Sequence, residues 1–196
     1  MTQPESVKIL AFAGSLRRGS YNRALVRAAA EAPRGLEIDI YDISDIPLYN
    51  YDLEIAGDPG PVRAFKEAVD SADGLLIATP EYNHGTAGVT KNVIDWASRP
   101  PRASVLNRKP VGIMGASGGP WGTARGQSQL RQAFVFTNSY AMPQPQLLVP
   151  HAGDKFDQQG NLIDEGVRSS LRHFLEAFGE WVRLFMRAAH SPEGRA

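Results

Sequence analysis

Short runs of apolar residues alternate along this chain with amphipathic stretches of helix length. The run VKILAFA, residues 7–13, is apolar at nearly every position and predicts a strand buried on both faces. A polar turn rich in Gly, Ser and Arg follows over 14–21, and then an Ala-rich helix over 22–32 that Pro33 and Gly35 close. Residues 36–41 alternate and predict a second strand. A long polar connection over 42–60 carries Pro47, Gly57 and Pro59. Pro61 presets the first turn of a helix over 62–71, with Phe65 and Val69 on one face. The third strand, 73–79, stops at Pro80, and a helix over 88–98 sets Val89, Val93 and Trp96 at helical spacing. A fourth strand over 110–115, a helix over 123–136 and a short fifth strand over 146–149 come next. The last helix, 164–187, carries Val167, Leu171, Phe174, Phe178, Trp181 and Phe185 on one stripe.

Continuous apolar strands separated by helices imply a parallel sheet covered on both faces. About five such units predict an α/β three-layer sandwich of the flavodoxin-like kind. Its five-stranded parallel sheet has the order 2-1-3-4-5, with helices on both faces. The 196 residues contain no repeat, low-complexity tract or long linker, so one domain is expected over 1–196, with a core over 7–187 and a frayed tail over 188–196. Trp96, Trp181 and the phenylalanines at helical spacing belong to that core.

Composition narrows the chemistry. Formal net charge is zero, without the basic excess of a nucleic-acid binder. Residues 1–6 lack a basic leader, and no apolar run approaches the roughly 18 residues of a membrane span, so a cytoplasmic protein with no membrane contact is expected. Cysteine is absent, which excludes a disulfide scaffold, a CxxC couple and thiolate-held clusters. Any redox chemistry here therefore needs a bound organic cofactor or a metal on nitrogen and oxygen ligands. His151, His173 and His190 have no partner at metal-ligand spacing, so no metal site is expected, and no GxSxG elbow is present.

In a sheet of order 2-1-3-4-5, ligands sit beyond the carboxyl ends of the first and third strands, where the order reverses. Three loops of unusual composition follow strands there: 14–21, 80–88 and 116–122. The first opens onto a helix, whose N-terminus attracts phosphate. Ser15 and Ser20 add hydroxyls, Asn22 an amide and Arg17 a cation. It matches neither GxxxxGK[ST] nor GxGxxG, which favours a terminal monophosphate over a dinucleotide. In the second loop, Pro80 and Gly85 bracket a tight turn containing Glu81, Tyr82, Asn83 and His84, which brings backbone amides and an aromatic ring to a planar ligand. A structural or hydrogen-bonding role suits Glu81 better than proton transfer, and His84 reads more simply as a solvated histidine. The third loop offers backbone at close range through Ser117, Gly118 and Gly119.

Taken together, Gly14-Ser15-Leu16-Arg17 with Ser20 and Asn22, Pro80-Glu81-Tyr82-Asn83-His84, Lys91-Asn92, Ile94-Asp95-Trp96-Ala97-Ser98-Arg99 and Ser117-Gly118-Gly119 resemble the NADPH-dependent FMN reductase family. The likeness runs from about 7 to 185 and points to bacterial quinone/chromate reductases and azoreductase-like members. It implies FMN as cofactor and NADPH or NADH as co-substrate. Ser15, Arg17, Ser20 and Asn22 would hold the phosphate, 80–84 would lie along the isoalloxazine, and 117–119 would approach its pyrimidine end. It implies that flavin N5, and no side chain, carries the chemistry. The acceptor would be a small molecule such as a quinone, an azo compound, chromate or free flavin, and the assembly a homodimer or homotetramer. Where relatives carry a serine and a proline, this chain has Gly85-Thr86-Ala87-Gly88, which implies a looser loop and an altered acceptor pocket. A flavodoxin-type electron carrier and a flavin-binding sensor remain the competing classes; zero net charge disfavours the first. Arg17, Arg18 and Arg102 are the cations open to a 2′-phosphate, and the sequence places none of them.

Overall fold

The apolar runs become strands because a central parallel strand must present hydrocarbon to both layers. The computed structural model describes residues 6–32 and 35–190. In chain order the elements are β1 (Val7–Ala13), α1 (Tyr21–Glu31), β2 (Leu36–Ile40), α2 (Tyr51–Ala56), α3 (Gly60–Ser71), β3 (Gly74–Ala78), β4 (Glu81–Tyr82), β5 (Gly85–Thr86), α4 (Gly88–Ala97), β6 (Pro110–Ala116), α5 (Ala124–Phe136), β7 (Tyr140–Ala141), β8 (Leu147–Val149) and α6 (Glu165–His190). Strands β2, β1, β3 and β6 lie side by side and parallel. Every residue of β3 and β6 is buried, as central strands require.

Side chains alternate cleanly between two cores. Ile9 and Ala11 of β1 and Leu76 and Ala78 of β3 face α1 and α6, where Leu25, Phe174 and Phe178 pack. Leu10, Phe12, Leu75 and Ile77 face the other way, onto Phe65 of α3, Val93 of α4 and Phe134 of α5. Phe178 lies directly on the sheet because Gly112 leaves it room: a Cβ there would sit 3.1 Å from its ring.

The sequence predicts five strands, and the structure divides the fifth place in two. β7 pairs with the start of β6 and β8 with its end. Pro143 and Pro145 fall between them and cannot donate to a ladder. The order is otherwise 2-1-3-4-5, and the fold is flavodoxin-like. Two elements went unforeseen: α2, inside the connection over 42–60, and the β4–β5 hairpin, inside the second loop. The segment after α4 makes a 3₁₀ turn, Pro101–Ala103, and Ser104 Oγ closes it back on Ala97 O at 3.4 Å. α6 continues through His190, three residues past the expected end at Arg187. The leader reading over 1–5, the helix stop at Pro33 and the tail over 191–196 lie outside the described residues. No helix among the described residues is long and apolar enough to cross a membrane.

Candidate active site

The three loops converge on one cavity of about 200 Å³ at the carboxyl ends of β1, β3 and β6. Its wall takes Ser15, Arg17, Ser20 and Asn22 from the first loop and the start of α1; Pro80, Glu81 and Tyr82 from the second; and Ser117 and Gly118 from the third. Tyr21 and Ala116 also line it, and the sequence reading had not singled them out.

The first loop is an anion cradle. Ser20 caps α1, its Oγ accepting from Asn22 N at 3.2 Å and Arg23 N at 3.4 Å, and its hydroxyl proton is left to donate elsewhere. Among the described residues no acceptor meets the backbone N–H groups of residues 15–19. The first turn of α1 holds no acidic residue to compete for the helix end. Gly14 lets this loop sit against the sheet: a Cβ there would lie 1.9 Å from Thr90 Oγ1.

Asn22 does not present a free amide. Its Nδ2 donates to Ala116 O at 2.9 Å, and its Oδ1 accepts from Ala116 N at 2.9 Å, so this buried side chain locks α1 to the end of β6. It aligns the first loop with the third.

In the second loop, Asn83 and His84 fall outside the cavity wall. Both adopt left-handed backbone, φ 51° and 61°, and form the two-residue turn of the β4–β5 hairpin, which holds them out in solvent. Glu81 points under the hairpin to α5, where its Oε2 accepts from Arg125 N and Gly126 N, each at 2.9 Å. The expected looseness over 85–88 is absent. Thr86 N donates to Gln129 Oε1 at 2.6 Å and Thr86 Oγ1 to Gly126 O at 2.9 Å, which ties the hairpin to α5.

The third loop folds on itself. Gly119 N donates to Ser117 Oγ at 3.1 Å and Gly119 O accepts from His151 N at 3.1 Å, which keeps Gly119 away from the cavity wall. Where Gly118 lacks a side chain there is open space, so its backbone is accessible. Beyond it, the Arg125 guanidinium lies 4.5 Å from the centre of the exposed Trp121 ring.

The Lys91–Arg99 motif is scaffolding. Asn92 Nδ2 and Trp96 Nε1 both donate to Pro47 O at 2.9 Å, and Asn92 Oδ1 accepts from Tyr49 N at 2.7 Å. Arg99 Nε donates to Glu54 Oε2 at 2.9 Å. These bonds hold the connection over 42–60 against α4, and the Arg99 guanidinium holds the Glu54 carboxyl below the usual carboxylate range.

A family model for NADPH-dependent FMN reductases matches residues 7–154. An NAD(P)H-dependent FMN reductase of Pseudomonas aeruginosa is 47% identical over 180 residues, covering 91% of this chain and 97% of its own. A 2-hydroxy-1,4-benzoquinone reductase of a Burkholderia species is 42% identical over 179 residues, with 91% and 97% coverage. Among solved structures, the flavoenzyme NAD(P)H:(acceptor) oxidoreductase FerB of Paracoccus denitrificans superposes with a TM-score of 0.84 at 31% identity, covering 91% of this chain and 98% of its own.

Proposed function

Because the chain belongs to the NADPH-dependent FMN reductase family, we propose that FMN lies across the cavity where its three loops meet, and that electrons from NAD(P)H pass there to a small quinone-type acceptor. The chain is an oxidoreductase of a family that uses FMN and NAD(P)H. What supports the placement is the row of unpaired N–H groups over 15–19 beside two buried serine hydroxyls at a helix N-terminus. That donor set suits a phosphate or another small oxyanion.

Ser15, Ser20 and the loop amides would hold the phosphate, with Arg17 closing over it. Pro80 and Tyr82 supply an apolar wall for a planar ring, and the Ser117–Gly118 backbone reaches its polar edge. When bound, FMN supplies the redox chemistry that no side chain of this site offers. Glu81, held by two backbone N–H groups, positions the second loop, and no side chain serves as a nucleophile. A quinone is favoured as acceptor because relatives on both sides of the family, bacterial and plant, carry that activity in their names.

The enzyme would work in the cytoplasm, where its reductant is dissolved. Exposed apolar side chains on α2 (Tyr51, Ile55) and at the end of α5 (Val135, Phe136) support a homo-oligomer, dimer or tetramer.

Anaerobic titration of the FMN-loaded protein with NADPH and NADH tests the reading. Bleaching of the visible band without a partner protein, and parallel-line kinetics with a benzoquinone, are expected. Protein that stays colourless after incubation with FMN contradicts it, and a band that no nicotinamide bleaches points to an electron carrier instead.

A further inference from the structure

The two consecutive arginines of the first loop face different cavities. Arg17 lines the cavity described above, whereas Arg18 lines a second one of about 280 Å³ across the loop, and the two cavities share Ser20 and Tyr21 as a common wall. Opposite Arg18 stand Arg27 of α1 and the turn over 157–160.

The second cavity is built around cations. Arg27 Nη2 donates to Gly160 O at 3.2 Å, which fixes its guanidinium. Gly160 has φ +80°, backbone that favours glycine, and it lies close enough that a Cβ on it would come within 2.5 Å of Arg27 Nη2. Among the described residues Arg18 has no ion-pair partner. Asp157, the one carboxylate of the wall, turns into its own loop: Oδ1 accepts from Asn161 N and Oδ2 from Asn161 Nδ2, both at 2.8 Å. Two cations therefore face an anion already engaged. Tyr21 stacks on Phe156, ring centres 5.9 Å apart, and gives the cavity an aromatic side, while Gln158 and Gln159 add amides at the rim.

We propose that this second cavity receives the adenosine end of the pyridine nucleotide, with Arg18 and Arg27 on the 2′-phosphate that distinguishes NADPH from NADH. The inference rests on the functional reading above, in which NAD(P)H gives up its electrons at the first cavity. A volume near the lower bound of about 300 Å³ for ligand pockets suits half a dinucleotide. Two guanidiniums match a phosphomonoester dianion and gain little from a ribose hydroxyl. The shared wall at Ser20 and Tyr21 makes the two cavities neighbours, as one bridging ligand requires. Arg102, in the turn after α4, does not line this wall.

The test is calorimetric titration of the FMN-loaded protein with 2′,5′-ADP, 5′-AMP and inorganic phosphate. The 2′,5′-ADP should bind at least about a hundredfold tighter than 5′-AMP, the step expected of two charge-assisted contacts, and inorganic phosphate weakest of the three. Arg18→Ala, a change at an exposed side chain, should raise KM for NADPH roughly tenfold and leave KM for NADH and the bound-FMN spectrum in place. Equal affinity for 2′,5′-ADP and 5′-AMP, or an equal rise in both KM values, overturns the assignment. So does inorganic phosphate binding as tightly as 2′,5′-ADP, which marks a simple anion site. Weakened FMN binding in Arg18→Ala also overturns it, by returning Arg18 to the flavin phosphate. Wild-type protein that never holds FMN fails at the functional reading itself, and the spectrum reports that before any nucleotide is added.

Discussion

Glu81 accepts the backbone N–H of Gly126 at 2.9 Å, and so caps helix α5 from a different loop. The helix needs it: its own N-cap, Thr123, sits in left-handed backbone at φ 73° and makes no side-chain cap. A carboxylate on the positive end of α5 offsets the dipole and satisfies two donors at once. Glu81→Ala should cost about 1–2 kcal/mol of stability and weaken FMN binding. Glu81→Gln, whose amide oxygen can still accept both bonds, should retain most of each. Urea unfolding and FMN titration of the two variants check this, and equal damage from both would mean that the charge, rather than the cap, matters.

Gly14 holds the first loop to the sheet through Gly14 N donating to Ala78 O at 2.8 Å. A methyl group at this position meets Thr90 Oγ1, which itself lies 3.2 Å from Thr79 Oγ1. Gly14→Ala should destabilise by about 1–3 kcal/mol through overpacking and displace the phosphate loop. Adding Thr90→Ala should restore part of both losses. If the double variant unfolds as early as the single one, the clash is elsewhere.

Asn22→Ala strips both partners from the buried backbone of Ala116. Leaving a buried donor and acceptor unpaired should cost about 2 kcal/mol or more. Amide hydrogen exchange localises the effect: the Ala116 N–H should lose protection well before amides in the middle of β3.

Helix α2 buries none of its residues, and its attachment runs through Glu54, which accepts from Arg99 Nε at 2.9 Å and Tyr49 Oη at 2.7 Å. The Arg99 bond is the largest of the causes that lower the Glu54 pKa in the folded chain. A lowered carboxylate contributes stability that is complete above its unfolded pKa, about 4.3 for glutamate, and is lost as pH falls through the folded value. Between neutral pH and about 5 the tether should therefore hold, and it should release only as pH falls below the unfolded value, at a cost of at most about 1 kcal/mol. Trp96 fluorescence reports the step, since its ring packs edge-on to Tyr49 at 5.0 Å. Glu54→Gln should abolish that acid step while leaving global unfolding nearly unchanged.

Strand–helix alternation made the sheet legible because β1, β3 and β6 are apolar through their length, and the switch-point rule then brought the three loops together. The short elements were not legible. α2 has no buried stripe for periodicity to reveal, and the hairpin is two residues a side, with its turn at Asn83 and His84, where only the left-handed φ values betray it. The resemblance implies Asn22 as a phosphate ligand, but Asn22, like Glu81, Asn92 and Trp96, bonds to backbone across a long sequence separation. Spacing along a chain carries no sign of such partners. Arg17 and Arg18 differ by one position and face opposite cavities, a distinction that only the folded loop creates.

The claim on which the account turns is that the first loop grips a phosphate. Titrating the flavin-free protein with FMN and with riboflavin, and following the quenching of flavin fluorescence, isolates that phosphate. FMN should bind at least about a hundredfold tighter, as two or more charge-assisted hydrogen bonds require, and Ser20→Ala should narrow the gap. Riboflavin binding as tightly as FMN would contradict the account.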